Sequence, residues 1–180
     1  MREAEDVYVC VARYSLEAYV KHGKRLEGEA DLPDSIRKEL TEELTRGQAG
    51  AFVSLKIAGR LRGCIGTISP VQPTLLKEIL YNAVSAGVQD PRFDPVEEEE
   101  LAFISVSVDV LGAPEPIRSA DVLEVKRYGV IVSYRGRRGL LLPDLEGVET
   151  PAQQIGIALQ KAGINPGDPY QMERFEVIRH

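Results

Sequence analysis

The alternation of apolar and polar positions divides the chain into helices and hairpins. Val7, Val11, Tyr14 and Ala18 recur at intervals of four, three and four, which predicts one face of a helix over 6–21. His22 and Gly23 end it. Cys10 falls on the edge of that face and reads as a small buried hydrophobe. Residues 23–50 are polar and weakly patterned; Pro33 followed by 34–44 predicts a short helix, and Gly47 and Gly50 mark a loop. Residues 51–57 carry Phe52, Val53, Leu55 and Ile57 and read as a strand. Ala58 and Gly59 make a tight turn, and 60–68 is the returning strand of a hairpin.

Ser69 and Pro70 close that strand. Pro73 fits the first turn of a helix whose apolar face runs through Leu76, Ile79, Leu80, Ala83 and Gly87 and stops at Asp90-Pro91. The DPRFDP segment at 90–95 is a rigid loop, because prolines fix the chain on either side of Arg92 and Phe93. The glutamates at 97–100 read as a solvated helix start or turn. Over 103–110, Ile104, Val106, Val108 and Val110 alternate with Ser105, Ser107 and Asp109, a half-buried strand that Pro114 and Pro116 end. A second hairpin spans 128–134 and 137–142, turning at Arg135-Gly136 and stopped by Pro143. Thr150, Pro151 and Gln153 start a helix with a capping box; Ile155, Ala158, Leu159 and Ala162 face inward, and Gly163 closes it. A last strand is predicted over 173–178. Without regular β-α-β alternation, this order favours an α+β fold with mainly antiparallel sheet, hairpins and flanking helices.

Composition narrows the class. At 180 residues the chain can form one compact domain, or two small lobes sharing a core. No apolar stretch is long enough to span a membrane, and the charged residues 1–6 contain no readable signal peptide, so a cytoplasmic location is expected. The net charge of −6 removes the simplest argument for nucleic-acid binding. Two cysteines, Cys10 and Cys64, are too few for a disulfide framework or a four-cysteine zinc site. With His22 and His180 as the only histidines, no metal site is expected, and a Cys-His-Asp triad is hard to build.

Candidate chemistry concentrates in LRGCIGT, residues 61–67. Side chains two apart on a strand share a face, so Arg62 and Cys64 can look into one pocket. Arg62 offers a planar fork for an anion, and Cys64 is a nucleophile, a redox group or a packing residue. The backbone of Gly63, Cys64, Ile65, Gly66 and Thr67 can cradle a phosphate or carboxylate, or simply make a bulged hairpin. In the 90–94 loop, Arg92 can reach an anion and Asp90 is a candidate acid or base, although aspartates before prolines also form plain turns. Lys126, Arg127, Arg135, Arg137 and Arg138 crowd the second hairpin and read better as a solvated tip than as an RNA contact.

LRGCIGT at 61–67, a helix opening near Pro73, DPRFDPV at 90–96, a VSVDVL strand leading to APEPI at 113–117, GVIV then RRGLLLP over 129–143, KAGI at 161–164 and ERFE at 173–176 follow in one order. Together they resemble the AMMECR domain family, in its stand-alone prokaryotic form, across essentially the whole chain. The resemblance implies a single domain over 1–180 with two sub-lobes, and a cleft bordered by the LRGCIG segment and the DPRF loop. It carries over to Arg62, Gly63, Cys64, Ile65, Gly66, Thr67, Asp90 and Arg92. It implies no established reaction and no known cofactor. Family members are linked genomically to Memo-like proteins and to radical SAM proteins. Many carry a histidine before the GVIV-like strand, where this chain has Tyr128.

Three functional readings follow. The first is a small-molecule-handling domain in which Cys64 is the reactive thiol, Arg62 and Arg92 orient an anionic ligand or substrate, and Asp90 is acid or base. The second is a non-catalytic module that docks a Memo-like or radical SAM partner through the glycine-rich hairpin. The least favoured is nucleic-acid binding through the second hairpin.

Overall fold

A computed structural model describes residues 5–180; the charged residues 1–4, which bear on the signal-peptide reading, lie outside the described residues. Helix α1 (Val7–His22) starts where the Asp6 carboxylate accepts the Val9 N–H at 3.1 Å, and it ends at Gly23. The 34–44 segment forms two short helices instead of one, α2 (Asp34–Arg37) and α3 (Glu42–Arg46). Thr41 causes the break: its hydroxyl accepts the Leu44 N–H and begins a new helix.

Strands β1 (Ala51–Ile57) and β2 (Arg60–Gly66) form the first hairpin. Ala58 and Gly59 have φ of 49° and 77°, the pair of positive values that a two-residue turn needs to follow the strand twist. β2 ends two residues before the expected stop, where the Thr67 hydroxyl turns to the Glu78 carboxylate at 2.6 Å. Helix α4 (Leu75–Val88) begins after Thr74, whose hydroxyl accepts the Lys77 N–H at 3.3 Å; Pro73 therefore precedes the cap and lies outside the first turn. The glutamate run holds a 3-10 turn over Glu98–Glu100 with a capping box. Strand β3 (Ile104–Leu111) pairs antiparallel with β1, giving the order β2-β1-β3. Helix α4 packs on β1, β2 and α1. Val11, Leu16, Val53, Leu55, Ile79, Ala83 and Val108 are each 1% exposed or less and form the centre of this core.

Those elements, through Val110 and with Arg179 and His180, make one compact unit; Leu111–Ile178 makes another. The second contains β4 (Glu115–Ile117), β5 (Tyr128–Tyr134), β6 (Arg137–Leu141), α5 (Pro151–Ala162) and all but the last residue of β7 (Gln171–Arg179). Their order is β4-β7-β5-β6, with every pairing antiparallel. β3 ends at Leu111, before Pro114, as expected; β4 is a further short strand that the pattern does not predict. It lies at an edge of this sheet, where the missing N–H of Pro116 breaks no ladder. Helix α5 opens with the capping box of Thr150 and Gln153 and packs on β5 and β6 around Val130, Val132, Ala158 and Leu159.

Each unit thus lays one helix on one hairpin, and in each a glycine of the returning strand takes the contact. A Cβ on Gly63 would stand 2.1 Å from the Ala86 carbonyl oxygen of α4, and one on Gly139 would stand 2.3 Å from the Ala158 carbonyl oxygen of α5. Both distances are well inside van der Waals contact with backbone that cannot swing away. Gly63→Ala is therefore expected to lower stability by about 1–3 kcal/mol through overpacking, measured by urea unfolding. Gly156, inside α5, has nothing within 4 Å of its would-be Cβ. Gly156→Ala should raise stability by about 0.5–1 kcal/mol in the same assay.

Candidate functional site

The alternation of β2 sends Gly63 and Ile65 toward the α4 side and Cys64 to the opposite face. Cys64 lies directly across from Ser54 on β1, and Ser54 lies across from Ser107 on β3. A thiol and two hydroxyls therefore form a row on the sheet face away from α4. The Ser54 hydroxyl donates to the Cys64 sulfur at 3.2 Å, and the thiol is half-buried. In the next row, Phe52 stands between Gly66 and Asp109. Gly66 makes room for the Phe52 ring, whose nearest carbon would be 2.2 Å from a Cβ at that position. Asp109 accepts from Arg179 at 2.7 and 3.3 Å.

Asp90 joins β2 to the DPRF loop. Its carboxylate is buried and accepts the Cys64 backbone N–H at 2.9 Å. Arg92 grips the same carboxylate through Nε at 2.9 Å and Nη2 at 2.7 Å, and the Arg92 backbone N–H adds a contact at 3.1 Å. Arg92 Nη2 also reaches the Cys64 carbonyl at 3.3 Å. The Arg92 guanidinium, followed by the N–H groups of Cys64 and Arg92, holds Asp90 far below the usual carboxylate range, against burial that opposes it. Asp90 is accordingly a fixed anion at neutral pH, which suits positioning better than proton transfer. Asp90 raises Arg92 above its ordinary value, and the nearby Cys64 adds to that effect. Arg92 Nη1 has no partner among the described residues, and the side chain is 55% exposed.

Arg62 is placed differently from the expectation of a pocket shared with Cys64. The β1–β2 register shifts between Leu55 and Lys56, which leaves Arg62 as the extra residue of a bulge. Its Nε and Nη2 bind Glu100 at 2.7 and 2.8 Å, Nη1 binds the Asp94 carbonyl at 2.9 Å, and Nη2 also reaches the Pro95 carbonyl at 3.4 Å. Glu100 is thus a half-buried ion-pair partner and not a solvated end of the glutamate run; the Arg62 hydrogen bonds hold it below the usual range. The backbone donors of the motif are also engaged in part: Cys64 N–H by Asp90, and Thr67 N–H by the Ala51 carbonyl at 3.0 Å.

Thr67 closes the motif against α4. Its hydroxyl donates to Glu78, which is 1% exposed and whose other oxygen accepts the N–H groups of Val71 and Gln72 at 2.9 and 2.8 Å. Asn82 donates to the Ala51 carbonyl at 3.0 Å. Ser54, Ser107, Glu78, Asn82 and Glu100 carried no signal in the sequence as members of this cluster, because strand register and helix docking bring them there.

The remaining candidates lie elsewhere. The His180 ring stacks on Tyr8 at 3.8 Å and its Nδ1 contacts Asp6 at 2.7 Å, while His22 is the exposed last residue of α1. Tyr128 has the guanidinium carbons of Arg174 and Arg127 4.2 and 4.9 Å from its ring centroid. At the second hairpin Arg127 pairs with Glu176 and Arg138 with Glu173, and Arg137 donates to the Gly163 carbonyl. Among the described residues no group of three His, Cys, Asp or Glu side chains could hold a metal ion, and no helix is long and apolar enough to cross a membrane.

The family described as AMMECR1 matches residues 9–180. A Thermotoga maritima protein is 48% identical over 178 residues, covering 98% of this chain and 98% of its own. A Clostridium acetobutylicum protein is 46% identical over 179 residues, or 99% of this chain; the chain spans only 36% of that relative's length. The crystal structure of an uncharacterised protein from Pyrococcus horikoshii superimposes with a TM-score of 0.84 at 31% identity, covering 97% of this chain and 89% of that one.

Asp90→Asn is expected to cost about 2 kcal/mol at neutral pH, because the charge-assisted bonds to Arg92 are lost. The pH dependence has a definite sign. The folded carboxyl titrates below the unfolded one, so its contribution is full above the ordinary aspartate value of about 4 and is lost as pH falls through the lower folded value. The stability gap between wild type and Asp90→Asn should stay constant from neutrality down to about pH 5 and narrow below about pH 4, as read from urea unfolding across pH.

Proposed function

The chain belongs to the AMMECR1 family, and on that premise we propose that it binds a small anionic ligand at the Cys64 face, between the LRGCIGT hairpin and the DPRF loop. Arg92 is the recognising cation, the hydroxyls of Ser54 and Ser107 are polar contacts on the same sheet face as the thiol, and Cys64 supplies the group for covalent chemistry. Gly63, Ile65, Gly66 and Thr67 hold β2 in place, and Asp90 acts through Cys64 and Arg92 as a positioning residue.

One observation carries this reading. Arg92 binds Asp90 through Nε and Nη2, its Nη2 also reaches the Cys64 carbonyl at 3.3 Å, and Nη1 has no hydrogen-bond partner among the described residues on a side chain that is 55% exposed. A guanidinium oriented by one carboxylate retains donors for a second anion. Arg62, by contrast, has all three nitrogens engaged by Glu100 and backbone carbonyls. The two arginines of the motifs therefore divide the work, one binding ligand and one holding the loop.

The test compares two alkylating agents on Cys64 in a Cys10→Ser background, where Cys10 no longer competes. Iodoacetate is anionic and iodoacetamide is neutral. The ratio of their rates should fall roughly threefold or more in Arg92→Gln, the size of an exposed charge–charge interaction. Arg62→Gln should lower stability and leave the ratio unchanged. A ratio equal in wild type and Arg92→Gln would remove Arg92 as the anion's partner, and with it the proposal.

A further inference from the structure

Away from the Cys64 cluster, a pocket is built within the first unit alone. A cavity of about 220 Å3 opens between the segment following α1 and one face of α4. Lys77, Leu80, Tyr81 and Val84 lie three, four and seven positions along α4, so they line one side of it. Leu26 closes it from the other segment. Leu26, Leu80 and Val84 are 8%, 2% and 1% exposed and make an apolar floor.

The rim is charged and preorganised. The Arg25 guanidinium carbon lies 4.9 Å from the Tyr19 ring centroid and 5.6 Å from that of Tyr81. Stacking of this kind fixes the plane of a guanidinium and leaves its N–H edge available. Neither Arg25 nor Lys77 has an ion-pair partner among the described residues, whereas the adjacent Lys24 is paired with Asp31 at 3.1 Å. The wall at Gln72 is pinned, because the buried Glu78 carboxylate accepts the Gln72 N–H at 2.8 Å. Glu27, the acidic residue of the lining, lies on the same rim. Two cations and one anion favour a single negative charge over a dianion. The volume is below the roughly 300–1,000 Å3 of drug-sized sites, which limits the occupant to a small metabolite.

We propose that this pocket binds a small monocarboxylate with an apolar tail. The carboxylate sits between Arg25 and Lys77, and the tail lies on Leu26, Leu80 and Val84 beside the Tyr81 ring. The site is separate from the Cys64 face and stands or falls independently of it.

Phenylacetate is a suitable probe, followed by amide chemical shifts of the full chain and by calorimetry. Saturable binding is expected, with shifts concentrated at residues 24–27 and 77–84. Arg25→Gln and Lys77→Gln should each weaken it about tenfold or more, the loss of one charge-assisted hydrogen bond. Thermal unfolding checks that both variants keep their fold; Arg25 is exposed and Lys77 half-buried, so neither removal opens the core. Phenylethylammonium, of similar shape and opposite charge, should not bind. The proposal is overturned by an absence of saturable binding, by equal binding of phenylethylammonium, by tighter binding of inorganic phosphate, or by affinities unchanged in both variants.

Discussion

The first unit depends on a buried carboxylate. Asp90 loses its water on folding, and an ionised carboxylate can do so only if its oxygens find donors elsewhere. Arg92 supplies a two-pronged contact, and the backbone of Cys64 and of Arg92 supplies the rest. The consequence is mechanical. The exit from α4, the DPRF loop and the β2 strand are joined at one charged point, so Cys64 cannot shift without disturbing Asp90 and Arg92. A strand whose outer edge would otherwise be open is thereby closed at the residue that carries the thiol.

The glycines of LRGCIGT serve that same arrangement by packing. Gly63 lets the Ala86 carbonyl of α4 approach β2, and Gly66 lets the Phe52 ring lie across it. Gly139 repeats the device under α5. A helix laid this closely on a hairpin buries Leu55, Ile79 and Ala83 in one unit and Val132, Ala158 and Leu159 in the other. Close approach is what these glycines provide in the fold. The anions that Arg62 and Arg92 hold in the fold are the protein's own, Glu100 and Asp90, and Arg92 Nη1 has no hydrogen-bond partner among the described residues.

Much of the fold was legible along the chain. The helices around Val11 and Leu80, both hairpins and the capping box at Thr150 follow from local periodicity and turn chemistry, which act over a few residues. The errors share one cause. Thr41 split a helix, Thr74 moved a helix start past Pro73, and β4 formed across Pro116, each through a hydrogen-bond partner or an edge position that periodicity does not encode. The candidate site was legible in composition and not in wiring. Cys64, Asp90 and Arg92 were recognisable as chemically able residues. Ser54 and Ser107 look like ordinary polar positions of strands until register sets Ser54 beside the thiol and Ser107 beyond it in the same row.

By itself, then, the sequence determined the elements, the α+β class, the family and the residues able to do chemistry, because these rest on spacing and side-chain type. The tertiary structure alone decided which of those residues are committed. A single bulge in β2 sent Arg62 to Glu100, and the geometry of two prolines around Arg92 set it against Asp90 with one nitrogen to spare. The physical reason is that a charged group's role depends on which opposite charge reaches it, and that is a matter of distance in the folded chain and not of order along it.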